Sequence, residues 1–255
     1  MTKKKMLYEG KAKTIFEGPT ANTVIQYFKD DATANNAEKH SIINGKGVLN
    51  NSISDFLMRK IHEIGIPTHY IKKLNMREQL VKKVEIIPVE FVVRNIATGS
   101  IVKRLGLKEG EVFPNPLIEY YLKRDDLGDP LINEDHIVNF NWGTREELEE
   151  MQEYGLRIND FLRGLFLGIG LKLVDFKIEF GRYFSEEDGK ELLLADEISP
   201  DNCRLWDIKT NNKFDKDLFR QDIGGLKEAY QEVAERLKIL PEKKLYSNTK
   251  TEIVQ

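Results

Sequence analysis

The sequence predicts an α+β protein with two lobes, a small strand-rich lobe in residues 1–84 and a larger lobe in residues 85–255. Strand-like segments come first along the chain, mixed elements follow, and helices lie toward the end. The chain has 255 residues, of which 40% are hydrophobic, enough for one large domain or two lobes. The lysines at 82–83 and Pro88 mark the expected boundary.

The first lobe is predicted to combine short strands with one helix. Strands are expected at 7–8, 14–16, 24–28, 68–74 and 79–84, with a polar loop at 29–40. A helix is expected over 48–64, because apolar residues recur every three to four positions and Gly65 stands where a C-terminal cap belongs.

The second lobe is predicted to contain further strands and the clearest helix. Strands are expected at 86–94 and 117–123, a short helix at 100–106, and otherwise irregular chain over 110–142. Thr144 and Glu147 have the spacing of a capping box at the start of a long helix. A second helical stretch, over 215–238, is interrupted at Gly224–Gly225.

Composition excludes several classes of protein. The formal net charge is −3, so there is no overall basic field to attract nucleic acid. No segment approaches the ~20 apolar residues of a membrane span. The single cysteine, Cys203, excludes an internal disulfide framework and is typical of a reducing compartment. We therefore expect a cytoplasmic protein that binds neither nucleic acid nor membranes.

Residues 172–181, KLVDFKIEFG, are the most informative segment. Side chains alternate faces along a strand, so Asp175, Lys177 and Glu179 share one face. Every second residue from Val174 to Phe180 lies on the other face, and all of these are apolar. Two acids flanking a lysine suit a site that handles metal-bound phosphate. The same pattern is also typical of a solvated sheet face with ion pairs.

A polar turn at 188–189, Asp-Gly, predicts a hairpin with a return strand at 192–198. With those two residues as the loop, Glu179 lies opposite Ile198 and is a diagonal neighbour of Asp196 on the same face. Two carboxylates in that relation can hold one Mg²⁺. A loop of odd length breaks this register.

The N-terminal motif Gly10-Lys11-Ala12-Lys13 is a candidate phosphate site. On an extended segment the two lysines point the same way, and the glycine lets the backbone approach a ligand closely. Such a pair suits triphosphate oxygens. An exposed hairpin with solvated lysines is the alternative, and no Walker or dinucleotide motif is present.

The segment from Arg94 to Ser100 follows an apolar strand and opens the short helix. A strand, a turn at Gly99 and a helix N-terminus together form an arrangement in which free backbone N–H groups bind an anion. Arg94 suits either a phosphate or an internal ion pair, and Ser100 suits either a ligand or a helix cap. The four histidines do not have the spacing of metal ligands, and we predict no role for them: His40, His62, His69 and His136.

Several of these segments resemble one known family, the SAICAR synthetases (phosphoribosylaminoimidazole-succinocarboxamide synthases). Residues 87–100, IPVEFVVRNIATGS, resemble one family signature, and residues 173–181, LVDFKIEFG, resemble the other. Other matching motifs fall in the expected order at 10–13, 129–130, 196–197, 199–201, 204–206 and 219–221. The resemblance covers about residues 8–238, and several motifs in order are more specific than any one of them.

The resemblance implies a fold similar to ATP-grasp enzymes and protein kinases, and an ATP-dependent ligase of de novo purine biosynthesis. The family joins the carboxylate of 5-aminoimidazole-4-carboxylate ribonucleotide (CAIR) to the amine of L-aspartate, and splits ATP to ADP and phosphate. Transfer of the γ-phosphoryl group would convert an unreactive carboxylate into an acyl phosphate that the amine can attack. The expected cofactor is Mg²⁺, and the expected assembly is a homo-oligomer, with a dimer favoured.

The resemblance also assigns roles to individual residues. The ATP-binding residues are Gly10, Lys11, Ala12, Lys13 and Lys82. The substrate-binding residues are Arg94, Gly99, Ser100, Arg204 and Arg220. The metal ligands are Glu179 and Asp196, and the catalytic residues are Lys177, Asp175 and Lys123.

Two other functions remain open on the residues alone. Another ATP-using enzyme, such as a small-molecule kinase or a ligase for a different carboxylate, would keep the lysines and the two metal-binding acids but would not need the Arg94–Ser100 site. A nucleotide-binding regulatory module without turnover would tolerate the loss of a metal-binding carboxylate, and this chain has both.

Overall fold

The computed structural model describes residues 5–34, 39–185 and 189–240. Its strands are β1 (Met6–Glu9), β2 (Lys13–Glu17), β3 (Thr23–Phe28), β4 (Asp31–Ala34), β5 (Lys39–Ile42), β6 (Tyr70–Lys73), β7 (Glu78–Lys82), β8 (Glu85–Ile96), β9 (Val112–Leu122), β10 (Leu131–Ile132), β11 (Leu171–Ser185), β12 (Gly189–Ala195) and β13 (Cys203–Asp207). Its helices are α1 (Lys46–Glu63), α2 (Ser100–Leu105), α3 (Glu134–Asn139), α4 (Arg145–Gly168), α5 (Asp217–Arg220) and α6 (Leu226–Arg236), and a 3₁₀ turn spans Asp125–Leu127.

Most of these strands belong to two antiparallel sheets. The first sheet has the order β1-β2-β3-β7-β6. The second has the order β10-β9-β8-β11-β12, and β13 also pairs with β11. The chain passes from the first sheet to the second between β7 and β8, while β4 and β5 pair with each other. The predicted α+β class with antiparallel sheets and flanking helices is confirmed.

Helix α4 packs against the second sheet and covers the main hydrophobic core. Gly155 allows this close approach, since a Cβ atom there would lie 2.3 Å from Cε1 of Phe91 on β8. The predicted capping box is confirmed. The Thr144 hydroxyl accepts from the Glu147 N–H at 3.2 Å, and the Thr144 N–H donates to the Glu147 carboxylate at 2.9 Å. Both ends of this exchange satisfy helix-terminal N–H groups.

The observed helices agree with the predicted ones better than the observed loops agree with the predicted loops. Helix α1 agrees with the predicted helix, and Gly224–Gly225 separates α5 from α6 as expected. The prediction of a loop at 29–40 is wrong at 31–34 and 39–40, where β4 and β5 pair, and residues 35–38 lie outside the described residues. Segment 110–142 also contains a longer β9 than expected, together with β10 and α3. Residues 241–255 lie outside the described residues, and none of the described helices is long and apolar enough to cross a membrane.

Of the two interpretations of Ser100, the helix cap is wrong. Gly99 occupies the N-cap position of α2 with a positive φ of 68°, and no described side chain caps this end of the helix. Ser100 is the first residue of the helix, so its hydroxyl is not placed to accept from the first-turn N–H groups as a capping residue does. Glycine tolerates the positive φ that this turn requires.

Strand β11 runs through the centre of the second sheet, and its alternation is interrupted once. The apolar side chains between Phe176 and Phe180 lie in the main core, as expected. The pairing with β13 shifts register next to Val174, which forms a bulge. Val174 therefore packs with Ile96 and Trp206 in a separate cluster, and its predicted place on the common apolar face is wrong.

The hairpin of β11 and β12 has a different register from the predicted one. Three residues, 186–188, separate the two strands, whereas the predicted loop was 188–189. These three residues lie outside the described residues. Glu179 consequently pairs with Ala195, not with Ile198. Continued regular strand would send Asp196 to the opposite face from Glu179. Instead β12 ends at Ala195, and Asp196 turns the chain with a left-handed φ of 59°.

Candidate active site

A cavity of about 830 Å³ is lined by residues from both large sheets. The first sheet contributes β1, β2, β3 and β7, and the second contributes β8, β9, β11 and β13. Among the lining residues are these predicted site residues: Gly10, Lys11, Ala12, Lys13, Lys82, Arg94, Ser100, Lys123, Asp175, Lys177, Glu179, Asp196, Arg204 and Arg220. Residues far apart in sequence, and predicted on separate grounds, therefore meet around one space.

The charged face of β11 forms one wall of this cavity. Glu179 is only 2% exposed and Asp175 only 4%, so the alternative of a solvated sheet face is wrong. The Lys177 ammonium group lies 2.7 Å from the Glu179 carboxylate and 3.0 Å from that of Glu90. A buried ion-pair network of this kind holds its charged groups in fixed positions.

Glu179 and Asp196 face the same cavity despite the altered hairpin register. Both are ion-paired to Lys177, at 2.7 Å and 3.9 Å respectively. Lys123 contacts the second oxygen of Glu179, and Lys13 contacts Asp196. The left-handed turn at Asp196 thus compensates for the register change.

The lysines keep both carboxylates ionised. Burial alone would raise the pKa of Glu179, but the Lys177 and Lys123 ammonium groups lower it below its usual value. The pKa of Asp196 is likewise lowered, because the attraction of Lys13 and Lys177 outweighs the effect of burial.

This pair of acids fits a hard divalent cation. Mg²⁺ is commonly held by one or two carboxylates together with substrate phosphates and water. No cluster of three or more His, Cys, Asp or Glu ligands suited to a metal occurs within the described ranges. Glu179 and Asp196 therefore match a site in which the substrate completes the coordination.

Lys11 and Lys13 line the cavity but make different contacts. The Lys13 ammonium group is largely buried and lies 2.9 Å from the Glu197 carboxylate, in addition to its contact with Asp196. Lys11 is more exposed and pairs with Asp125 at 2.7 Å. The alternative of an exposed hairpin with solvated lysines is wrong for Lys13.

Lys82 lies at another part of the same cavity. Its ammonium group is 4.6 Å from the centroid of the Tyr183 ring and 3.6 Å from the Glu191 carboxylate. Its backbone N–H donates to the His69 carbonyl at 2.7 Å. The Lys82 side chain therefore extends from the end of β7 in the first sheet to an aromatic ring on β11 in the second.

Arg94 is buried and engages three groups. Its Nε donates to Glu119 at 2.7 Å, its Nη1 to Asp175 at 2.8 Å, and its Nη2 to the Tyr121 hydroxyl at 3.2 Å. The ion-pair interpretation of Arg94 is confirmed, and its position on the cavity wall leaves the phosphate interpretation open.

Asp175 and Asp217 connect Arg94 to two further arginines. Asp175 accepts from Arg94 and, at 2.7 Å, from Arg204. Asp217 accepts from Arg204 at 3.0 Å and from Arg220 at 2.6 Å. We call these five residues the arginine cluster. The three arginines of the cluster come from β8, β13 and α5, and all three line the cavity.

Gly99 allows the backbone to lie against the arginine cluster. A Cβ atom at this position would be 2.9 Å from Nη2 of Arg204, which is too close. Gly99 also has a positive φ, so a side chain is disfavoured twice.

Sequence reasoning missed several cavity residues, although some carried a signal. Glu90 shares strand parity with Arg94 on β8, which would have placed it beside Lys177. His69 donates from Nε2 to the Asp196 carbonyl at 3.0 Å, and burial lowers its pKa to about 4, so it is neutral at pH 7. A lone histidine between strands gives no such signal. Glu197 Oε2 is buried without a hydrogen-bond partner among the described residues.

Comparison with known proteins identifies the family. The family model for SAICAR synthetase matches residues 6–237. The chain belongs to the SAICAR synthetase family. The phosphoribosylaminoimidazole-succinocarboxamide synthase of Rhodospirillum centenum is 61% identical over 242 residues, which are 95% of each chain.

Solved structures of SAICAR synthetases are also similar. The enzyme from Ehrlichia chaffeensis is 51% identical, with a TM-score of 0.90 over 93% of this chain and 100% of that one. A SAICAR synthetase in complex with ADP is 42% identical, with a TM-score of 0.87 over 92% and 99% of the two chains. The chain is thus an ATP-dependent ligase of purine biosynthesis, which confirms the activity implied by the sequence motifs.

Proposed function

We propose that this ligase binds ATP, CAIR and L-aspartate in the cavity and proceeds through an acyl phosphate. A CAIR carboxylate oxygen attacks the γ-phosphorus, the bond to the β–γ bridging oxygen breaks, and ADP leaves. The aspartate amine then attacks the acyl carbon, a C–N bond forms, the C–O bond to phosphate breaks, and a proton is released. One observation carries this proposal: Glu179, Asp196 and several lysines line the same cavity as the three arginines of the arginine cluster.

The ATP phosphates would lie against the N-terminal motif. Gly10, Lys11, Ala12 and Lys13 would surround them, and Lys82 would lie near the adenine. Because β2 and β7 belong to the first sheet, we propose residues 1–84 as the nucleotide-binding lobe. Residues 85–255 would then carry the substrate and metal sites.

Glu179 and Asp196 would hold Mg²⁺. When bound, Mg²⁺ neutralises negative charge on phosphate oxygens and favours attack by an anionic carboxylate. Lys177 and Lys123 already contact the Glu179 carboxylate. We propose that they stabilise the charge that develops on the transferred phosphoryl group, since preorganised cations are effective in a site shielded from water.

CAIR would bind at the arginine cluster. Arg94, Arg204 and Arg220 provide forked donors suited to phosphate or carboxylate oxygens. Gly99 and Ser100 would approach the same anion from α2. Asp175 would hold two of the arginines in position and so support the reacting centre, because one of its oxygens accepts from both Arg94 and Arg204.

We further propose that the enzyme acts in the cytoplasm as a homodimer, without nucleic acid or membrane partners. The single cysteine, Cys203, is buried and unpaired, which supports a reducing compartment. Sedimentation velocity at micromolar concentration measures the assembly directly, and a single monomeric species would contradict the dimer.

A coupled assay tests the reaction. Pure protein with ATP, Mg²⁺, CAIR and L-aspartate should release ADP and form SAICAR, and both products should require aspartate. Release of ADP without CAIR would indicate an idle ATPase. ADP release that requires neither CAIR nor aspartate but needs another acceptor would favour a small-molecule kinase, and nucleotide binding without turnover would favour a regulatory module.

A further inference from the structure

Lys216 is a cation on the cavity wall that has no hydrogen-bond or ion-pair partner among the described residues. Its side chain is partly buried and lines the cavity, yet its ammonium group makes no hydrogen bond or ion pair within the part of the chain that the structure describes. By contrast, Lys13, Lys177 and Arg204 on the same wall each contact at least one carboxylate.

The backbone around Lys216 is held in place. Its N–H donates to the Pro200 carbonyl at 3.2 Å. The neighbouring Asp215 is fully buried, and its carboxylate accepts from the N–H groups of Leu205 at 2.9 Å and Asp217 at 2.8 Å. The backbone of Lys216 is therefore held between β13 and α5, directly before Asp217 of the arginine cluster.

The nearby acid does not require Lys216 as a partner. Asp201 already accepts from Lys46 at 2.5 Å, from Asn50 at 2.9 Å and from the Tyr230 hydroxyl at 2.7 Å. A purely structural role for Lys216, as the counter-ion of Asp201, is thus disfavoured, because those donors satisfy the carboxylate.

The electrostatic surroundings leave the Lys216 ammonium group weakly compensated. Burial lowers its pKa to about 8; Asp201 and Glu197 oppose this effect, while Arg220 and Lys46 add to it. A partly buried cation without a close counter-ion loses some of its hydration, and an incoming anion would offset that cost.

We propose that Lys216 binds an anionic oxygen group, a carboxylate or a phosphate, of a substrate that lies beside Arg204 and Arg220. This inference rests on the proposed function and extends its substrate site by one residue. CAIR and L-aspartate both carry such groups, and the kinetic experiment distinguishes them.

The first test compares Lys216→Met with the wild type and with Lys209→Met, an exposed lysine outside the cavity. Loss of a charge-assisted contact should raise the KM of one anionic substrate by roughly tenfold or more. The KM of ATP should stay within about threefold. A rise for CAIR assigns the contact to CAIR, and a rise for aspartate assigns it to aspartate. Unchanged KM values for both, or a loss confined to kcat, would overturn the proposal.

The second test uses Lys216→Arg, which preserves the charge at every accessible pH. In the wild type the ammonium group loses its proton as the pH rises through about 8, so the KM of the bound anion should increase above that pH. The arginine variant should lack this increase. An identical pH profile in both proteins would overturn the proposal even if Lys216→Met does not fold.

Calorimetric titration with CAIR, and separately with L-aspartate, measures binding without turnover. If the wild type binds one of them in a Lys216-dependent manner but does not turn over, the reaction proposed above fails and this inference stands. If turnover is normal and binding does not depend on Lys216, only this inference fails.

Discussion

Replacing Glu179 with glutamine tests the central feature of the site. The change keeps the size of the side chain and removes its negative charge. Breaking a buried ion pair costs about 3–5 kcal/mol when the remaining charge is left alone. Here Lys177 keeps Glu90 at 3.0 Å, and the Lys123 side chain is 40% exposed and can turn to water. We therefore expect the free energy of unfolding to fall by only about 1–2 kcal/mol.

The effect on catalysis should be much larger than the effect on stability. Loss of a carboxylate that we propose holds the cation, and that contacts two lysines, should lower kcat by roughly 10³-fold, equivalent to about 4 kcal/mol of transition-state stabilisation. The requirement for Mg²⁺ should also rise. Aspartate-dependent ADP release at varied Mg²⁺ measures both quantities, and urea unfolding measures stability.

Glu147→Gln is a matched control for this experiment. Glu147 is also a buried carboxylate with two cationic partners, Arg182 and Lys190, but it does not line the cavity. This variant should lose stability and keep its kcat within about twofold. A folded Glu179→Gln protein with near-normal kcat, or an equal loss of kcat in both variants, would refute the assigned role of Glu179.

Three other predictions follow from the contacts described above. Arg94→Lys keeps the charge but loses the three-way fork, so the KM of CAIR should rise by roughly 10–100-fold with little change for ATP; a larger change for ATP would contradict the substrate role. Gly155→Ala should lower the free energy of unfolding by about 1–3 kcal/mol, because the new methyl group collides with Phe91; undiminished stability in urea would contradict this packing. Hydrogen bonds from Arg182, and the other cationic and N–H partners, outweigh burial and lower the pKa of Glu147 to about 2 from its ordinary 4.5. The contribution of Glu147 to the free energy of unfolding, roughly 3 kcal/mol, should therefore be present above pH 4.5 and be lost as the pH falls toward 2. Between pH 4.5 and 2, the Glu147→Gln variant should lose less stability than the wild type in acid unfolding. The same pH dependence in both proteins would refute this role of Glu147.

Much of the site was predictable because its residues lie in local patterns. The alternation around Lys177 identifies a strand with a charged face, and the Lys11–Lys13 pair follows a glycine turn. Arg94 precedes a glycine at a helix N-terminus. Each pattern depends on a few neighbouring residues, and the order of several such motifs indicates the family.

The contacts between distant segments were less predictable. The prediction that Glu179 and Asp196 share a face assumed a two-residue hairpin, and the strands are separated by three residues. The side chains nevertheless meet at Lys177, because Asp196 adopts a left-handed conformation after β12 ends. His69 and Lys216 gave no sequence signal, since only the approach of other segments gives them their surroundings.

The sequence by itself determined the α+β class, the main helices, the capping box at Thr144, and the chemical types of residue available for catalysis. These depend on periodicity and on short-range hydrogen bonding, which are encoded within a few positions. The tertiary structure alone decided which charged groups are buried, which lysine forms an ion pair with which acid, and that the two carboxylates face one cavity. Burial and pairing depend on segments far apart in the chain, and a single reversal of backbone direction at one residue changes which face a side chain occupies.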